Sequence, residues 1–93
     1  MRILASEQVQ AWLAGLPPQS KHRVRLALRE LAEHGRGDIK ALEKELAGFC
    51  RLRVGGYRII YRTEPGRVLK LEYAEMRDAV YETYLHFREL GHG

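Results

Sequence analysis

Apolar positions recur at helical spacing through the first third of the chain and at a spacing of two through the second half. Val9, Trp12, Leu13 and Leu16 share one helical face. Ser6 followed by Glu7 and Gln8 supplies an N-cap with acid in the first turn, so the pattern predicts a helix from about Glu7. Gly15, Pro17 and Pro18 end it, because proline cannot extend a helix and restricts the residue before it. A second helix follows from about Pro18 to Glu33, with Val24, Ala27, Leu28 and Leu31 on one stripe and Lys21, Arg25, Arg29 and Glu33 elsewhere. That is the pattern of an amphipathic helix laid on a sheet, closed by the run His34 to Gly37.

Residues 38–46 are charged, with a weak helical period through Ile39, Leu42 and Leu46, and read as a linker holding one helical turn. From Gly48 onward Cys50, Leu52 and Val54 alternate with Arg51 and Arg53, and Gly55-Gly56 supplies a two-residue hairpin turn. Tyr57, Ile59 and Tyr61 then alternate with Arg58, Ile60 and Arg62, a turn follows through Glu64, Pro65 and Gly66, and Leu69, Leu71 and Tyr73 alternate again. Residues 77–88 read as a closing helix. The expected fold is α+β: two N-terminal helices on one face of a small, mainly antiparallel sheet of about four strands, with a C-terminal helix, forming one domain over residues 1–93.

With Gly55 and Gly56 as turn residues, Val54 faces Tyr57, Arg53 faces Arg58, Leu52 faces Ile59 and Arg51 faces Ile60. One sheet face then carries Cys50, Leu52, Val54, Tyr57, Ile59 and Tyr61; the other carries Arg51, Arg53, Arg58, Ile60 and Arg62. A one-residue slip would bury the arginines, so the pattern pins the register. Keeping Leu69, Leu71 and Tyr73 on the apolar face requires an odd loop over Thr63 to Arg67 with a bulge at Gly66, which sets Arg58 opposite Glu72.

Charge sharpens this picture. Between Cys50 and Lys70 six basic side chains stand against the single acid Glu64, in a protein whose total is +4. Facing like charges destabilise a sheet, so the stacked arginines point to an anionic partner, with nucleic acid the leading class. No apolar run approaches a membrane span and no secretory signal is visible, so the expected setting is the cytoplasm, away from membranes. A single cysteine, Cys50, excludes an internal disulfide and reads as a packed thiol on the apolar face. His22, His34, His86 and His92 form no ligand spacing with one another or with Cys50, so neither metal nor other cofactor is expected.

The stretch Leu46-Ala47-Gly48-Phe49-Cys50-Arg51-Leu52-Arg53-Val54-Gly55-Gly56-Tyr57-Arg58-Ile59-Ile60-Tyr61 resembles the RelE/ParE toxin superfamily: a leucine-x-glycine lead, a basic strand, a glycine turn, then tyrosine-arginine-aliphatic-aliphatic-tyrosine. Arg77-Asp78-Ala79-Val80-Tyr81 resembles that family's late arginine and C-terminal tyrosine. The resemblance implies the toxin of a type II toxin-antitoxin pair, with a cognate antitoxin as partner. Its RelE-like branch implies a ribosome-dependent endonuclease cutting mRNA by metal-free 2′-hydroxyl attack; its ParE-like branch implies a DNA gyrase inhibitor without nuclease activity. A third implied possibility is an inactive relative whose basic face helps an antitoxin bind operator DNA.

For the nuclease branch the resemblance implies catalytic roles for Arg58, Arg77 and Tyr81. Arg51 and Arg53 stand at the family's basic strand positions, and with Arg62 on the same face they are expected to bind RNA phosphates. Arginine at both strand positions departs from the lysine favoured in RelE itself and suits charge stabilisation rather than proton transfer, because it stays protonated in proteins. Tyr81 is the leading proton-transfer group and His86 the alternative base. Val80, Tyr84 and Phe87 share helical spacing and read as core, as does Trp12.

Overall fold

The computed structural model describes residues 1–76 and 79–91. Strand β1 (Arg2–Ala5) leads into helices α1 (Glu7–Ala14) and α2 (Pro18–His34), followed by β2 (Asp38–Ala41), a 3₁₀ turn over Lys44–Leu46, β3 (Cys50–Val54), β4 (Tyr57–Glu64), β5 (Val68–Met76) and α3 (Ala79–Glu89). The helix boundaries follow local chemistry. The Ser6 hydroxyl accepts from the Val9 N–H at 3.2 Å as the α1 cap. Pro18 opens α2 at a position where its missing N–H is harmless. Gly35, at φ 64°, closes α2 with its N–H donated to the Leu31 carbonyl.

The sheet has five strands, in the order β1-β5-β4-β3-β2, and is mixed: β1 runs parallel to β5 and the other pairs are antiparallel. This corrects the expected four mainly antiparallel strands. Residues 38–41, read as part of a linker, instead pair with β3, and β1, which was not among the expected strands, forms the opposite edge. Both added strands are four residues long and largely solvent-exposed, so neither carries the half-buried alternation by which a strand is recognised. The 3₁₀ turn is what remains of the helical period expected there.

The first hairpin has the expected register, with Leu52 opposite Ile59 and Arg53 opposite Arg58. Gly55 alone of the two turn glycines has a left-handed φ, 59°, the demand of a type II′ turn at its first central position. The second hairpin differs. Its irregularity lies inside the sheet rather than at Gly66: Ile60 pairs with Tyr73 and Tyr61 with Leu71, leaving Glu72 as the extra residue. Arg58 therefore stands opposite Glu75 rather than Glu72, and Tyr73 turns to the face opposite Leu69 and Leu71.

Two cores result, one on each side of the sheet. Val9, Val24, Leu28 and Leu31 from α1 and α2 pack on Leu52, Val54, Ile59, Tyr61, Leu69, Leu71 and Ala74. Trp12 meets Tyr57 edge-on at 5.4 Å beside this core. On the other side Val80 and Tyr84 of α3 pack on Ile60, Tyr73 and Leu46, as their spacing predicted. Helix α3 thus covers part of the face that carries the arginines. Among the described residues, no helix is long and apolar enough to cross a membrane.

Candidate nucleic-acid face

The arginine-bearing face is organised in cross-strand rows. Asp38, Arg53, Arg58 and Glu75 stand in register across β2, β3, β4 and β5, so two facing cations are bracketed by two acids. The next row is Lys40, Arg51, Ile60 and Tyr73, and beyond the bulge Arg62 pairs with Lys70. The repulsion expected of stacked arginines is therefore relieved in part by the fold itself, through acids that lie on neighbouring strands.

Each arginine has its own environment. Arg51, only 12% exposed, donates from Nη2 to Asp38 Oδ1 at 2.9 Å. Arg62 is partly exposed but also paired, 3.3 Å from Glu64 and 3.3 Å from Glu72, with its guanidinium over the Phe49 ring. Arg53 and Arg58 differ, because both turn toward the hairpin tip. Arg53 Nε donates to the Gly55 carbonyl at 3.4 Å while staying 4.0 Å from Asp38, and Arg58 Nη1 donates to the same carbonyl at 3.2 Å. Two guanidinium groups that share one acceptor oxygen are placed to share one phosphate.

Beside this face lies a charged knot centred on the bulge. Glu72 is 7% exposed and meets Arg62 Nε at 3.3 Å and Lys70 Nζ at 3.5 Å through one oxygen, while its other oxygen accepts the Tyr84 hydroxyl at 3.1 Å. Burial, then the Glu72 charge and its hydrogen bond, push the Tyr84 phenol up to about 12, against a smaller downward pull from Arg88 and Arg62. Tyr73 is also raised, by burial and then by Glu75, whose carboxylate accepts its hydroxyl at 3.3 Å. On the helix-covered face Tyr61 is pushed up to about 12, first by burial and then by Cys50 opposite it.

Tyr81 is half-buried against the α3 core and lines an open groove of about 370 Å³ with Lys40, Leu42, Leu46 and Leu85. Lys40, which lines the same groove, is in register with Arg51 on the adjacent strand. Of the expected site residues, the structure brings Arg53 and Arg58 together at the turn and holds Arg51 and Arg62 on carboxylates; Arg77 lies outside the described residues. Sequence reasoning missed Asp38, Lys40 and Glu75 as members of this face. Asp38 and Lys40 fell in the supposed linker, and Glu75 was displaced by the unforeseen bulge. The alternation Asp38-Ile39-Lys40 was the available signal.

No protein-family model and no curated protein sequence matches the chain. Its fold does match solved structures. A chain of the toxin-antitoxin complex RelBE2 from Mycobacterium tuberculosis is 26% identical with a TM-score of 0.68, over 82% of this chain and 96% of that one. A chain of the archaeal RelE-RelB complex from Pyrococcus horikoshii is likewise 26% identical, TM-score 0.70, over 83% and 94%. The YoeB/ParE toxin from Agrobacterium tumefaciens, at 14% identity and a TM-score of 0.69 over 83% and 99%, shares the fold.

Proposed function

The chain has the fold and the hairpin signature of the RelE/ParE toxin superfamily, and from that premise we propose that it is the toxin of a type II toxin-antitoxin pair acting as a ribosome-dependent mRNA endonuclease. The observation that carries this reading is the Arg53-Arg58 pair, in register and sharing the Gly55 carbonyl, on the sheet face that α3 and Tyr81 flank.

Metal-free RNA cleavage needs three things. The 2′-hydroxyl that attacks the adjacent phosphorus must lose its proton, the phosphorane-like dianion must be stabilised, and the departing 5′-oxygen must be protonated. Arg53 and Arg58 meet the second need, exchanging the Gly55 carbonyl for phosphate oxygens; Arg77 joins them by its motif position. Preorganised donors of this kind each contribute about 2.7–4 kcal/mol to the transition state. Tyr81 is the proton-transfer residue. Arg51 and Arg62 act from behind, adding positive potential to the face while Asp38 and the Glu64/Glu72 pair hold them in place. The antitoxin inhibits by laying an acidic or amphipathic segment over the arginine face or along an exposed sheet edge such as β2.

The paired state of Arg51 and Arg62 favours a second reading, a ParE-like inhibitor of DNA gyrase that uses this face for protein contact and cuts nothing. One experiment separates the two. The chain is expressed in a translation extract and mRNA 5′ ends are mapped. Cuts inside translated codons that fall about 10²–10³-fold in Arg58→Ala support the nuclease, and loss of cutting in Tyr81→Phe assigns the proton-transfer role. Double-strand DNA breaks without mRNA cuts establish the gyrase reading instead.

A further inference from the structure

The geometry points to a third arginine in the phosphate grip: Arg23 of α2, which with Arg53 and Arg58 forms an anion-binding rim around the β3–β4 turn. The inference rests on the reading that this face engages RNA, and it extends the contact surface from the arginine face round the hairpin tip to the helix side of the sheet.

Arg23 is absent from the family signature and lies some thirty positions before the hairpin in the chain. It is solvent-exposed on α2, the helix that packs on the opposite side of the sheet from α3. Its Nη1 approaches the turn so closely that a Cβ added to Gly55 would lie 3.1 Å from it. Arg53 and Arg58 reach the carbonyl of that same residue from the other face. Three guanidinium groups thus surround one glycine. Among the described residues no carboxylate lies within ion-pairing distance of Arg23, in contrast to Arg51, Arg62 and the α2 neighbour pair Arg36 and Glu30 at 2.9 Å.

The turn itself is shaped for close approach. Gly55 and Gly56 present no side chains, so a ribose-phosphate backbone can lie directly across the tip with its phosphates between guanidinium groups on both sides. The large exposed apolar side chain beside the tip is Met76, whose Cε lies near Gly56. A protein partner anchors through desolvated aromatic or aliphatic side chains seated in a pocket, and the tip supplies charge without such a pocket. A single-stranded RNA backbone, read by charge and not by base, is the ligand this surface fits.

The test measures binding of the full chain to a short labelled single-stranded oligouridylate, 2′-O-methylated so that it cannot be cut, as a function of salt. Arg23→Ala is compared with Arg29→Ala, which removes the same charge from the same helix where α2 meets Met1 and Ile3 near the far edge of the sheet. Arg23→Ala is expected to weaken binding about fivefold and to lower the slope of log affinity against log salt by about 0.7, the loss of one phosphate contact, while Arg29→Ala leaves the slope unchanged. Equal slopes for the two variants overturn the rim and leave the nuclease reading standing. Absence of binding by the unaltered chain also overturns the rim, while the nuclease reading is decided separately by the mapped cuts in the translation extract. An Arg23→Ala loss seen with polyglutamate but not with RNA reassigns the rim to an acidic protein partner and overturns the inference.

Discussion

The two faces of this sheet are built from adjacent residues with opposite logic. Ile59 and Ile60 are both fully buried, yet Ile59 belongs to an extended apolar core under α1 and α2, while Ile60 sits in a small aromatic cluster under α3 ringed by charge. The first face is stabilised by area removed from water, and its buried cluster is built of apolar side chains and Tyr61. The second face carries arginines, lysines and acids around the buried cluster under α3. A fold can place a strongly charged face on one side of a sheet when the other side supplies most of the stability.

Truncating the two isoleucines is the largest available break of this contrast. Ile59→Ala should cost about 2–5 kcal/mol in urea unfolding, and Ile60→Ala the lower end of that range, because α3 can settle into the vacated space more readily than a core clamped by two helices. Equal losses at the upper end would show the α3 side to be as tightly held as the other. Next in size is Glu72→Gln, which leaves Lys70 without its acid and Arg62 with Glu64 alone. Since both cations are more than one-third exposed, solvent screens the pair and the expected loss is about 1–2 kcal/mol rather than that of a fully buried pair.

The phenols extend the comparison to alkaline pH. Tyr84 on one face and Tyr61 on the other are each raised from 10.0 to about 12. The folded chain holds these protons more tightly than the unfolded chain does, so the stability they supply is complete below about pH 10 and is lost as pH rises through about 12. Tyr84→Phe and Tyr61→Phe should each flatten part of that decline in unfolding measured against pH. Glu72→Gln should lower the tyrosinate titration of Tyr84, read by ultraviolet absorbance, and leave that of Tyr61 unmoved, which assigns the shift to one face. The smallest expected effect on stability is that of Asp38→Asn. The partly exposed pair with Arg51 contributes about 0–1 kcal/mol, while releasing Arg51 and Arg53 should tighten oligoribonucleotide binding at low salt. Unchanged RNA affinity in Asp38→Asn would mean that Asp38 does not compete with phosphate for these arginines.

Local chemistry makes much of this legible in the sequence alone. Ser6, Pro18 and Gly35 marked the ends of α1 and α2 through caps that act over a few residues. The Gly55-Gly56 turn set the register of the first hairpin, and with it the Arg53-Arg58 pair. Three features escaped. β1 is held by parallel pairing to a strand more than sixty residues away, a contact with no local trace. β2 is an exposed edge whose strand conformation comes from β3. The bulge at Glu72 inserts one residue where the alternation Leu69, Leu71, Tyr73 argued for none, because the Glu72 carboxylate and the Tyr73 ring both take places on the α3 face, one among Arg62, Lys70 and Tyr84 and the other in the aromatic cluster.

Alternating apolar and basic positions were enough to state which side chains share a face, since a strand's period is two whatever surrounds it. Which of those charges are already satisfied is a matter of three-dimensional neighbours. Asp38 reaches Arg51 across thirteen positions, Arg23 reaches the Gly55 turn across thirty-two, and α3 folds back over Ile60. Coulomb attraction and burial depend on distance in space, so which acceptor or carboxylate each arginine meets came only with the tertiary structure.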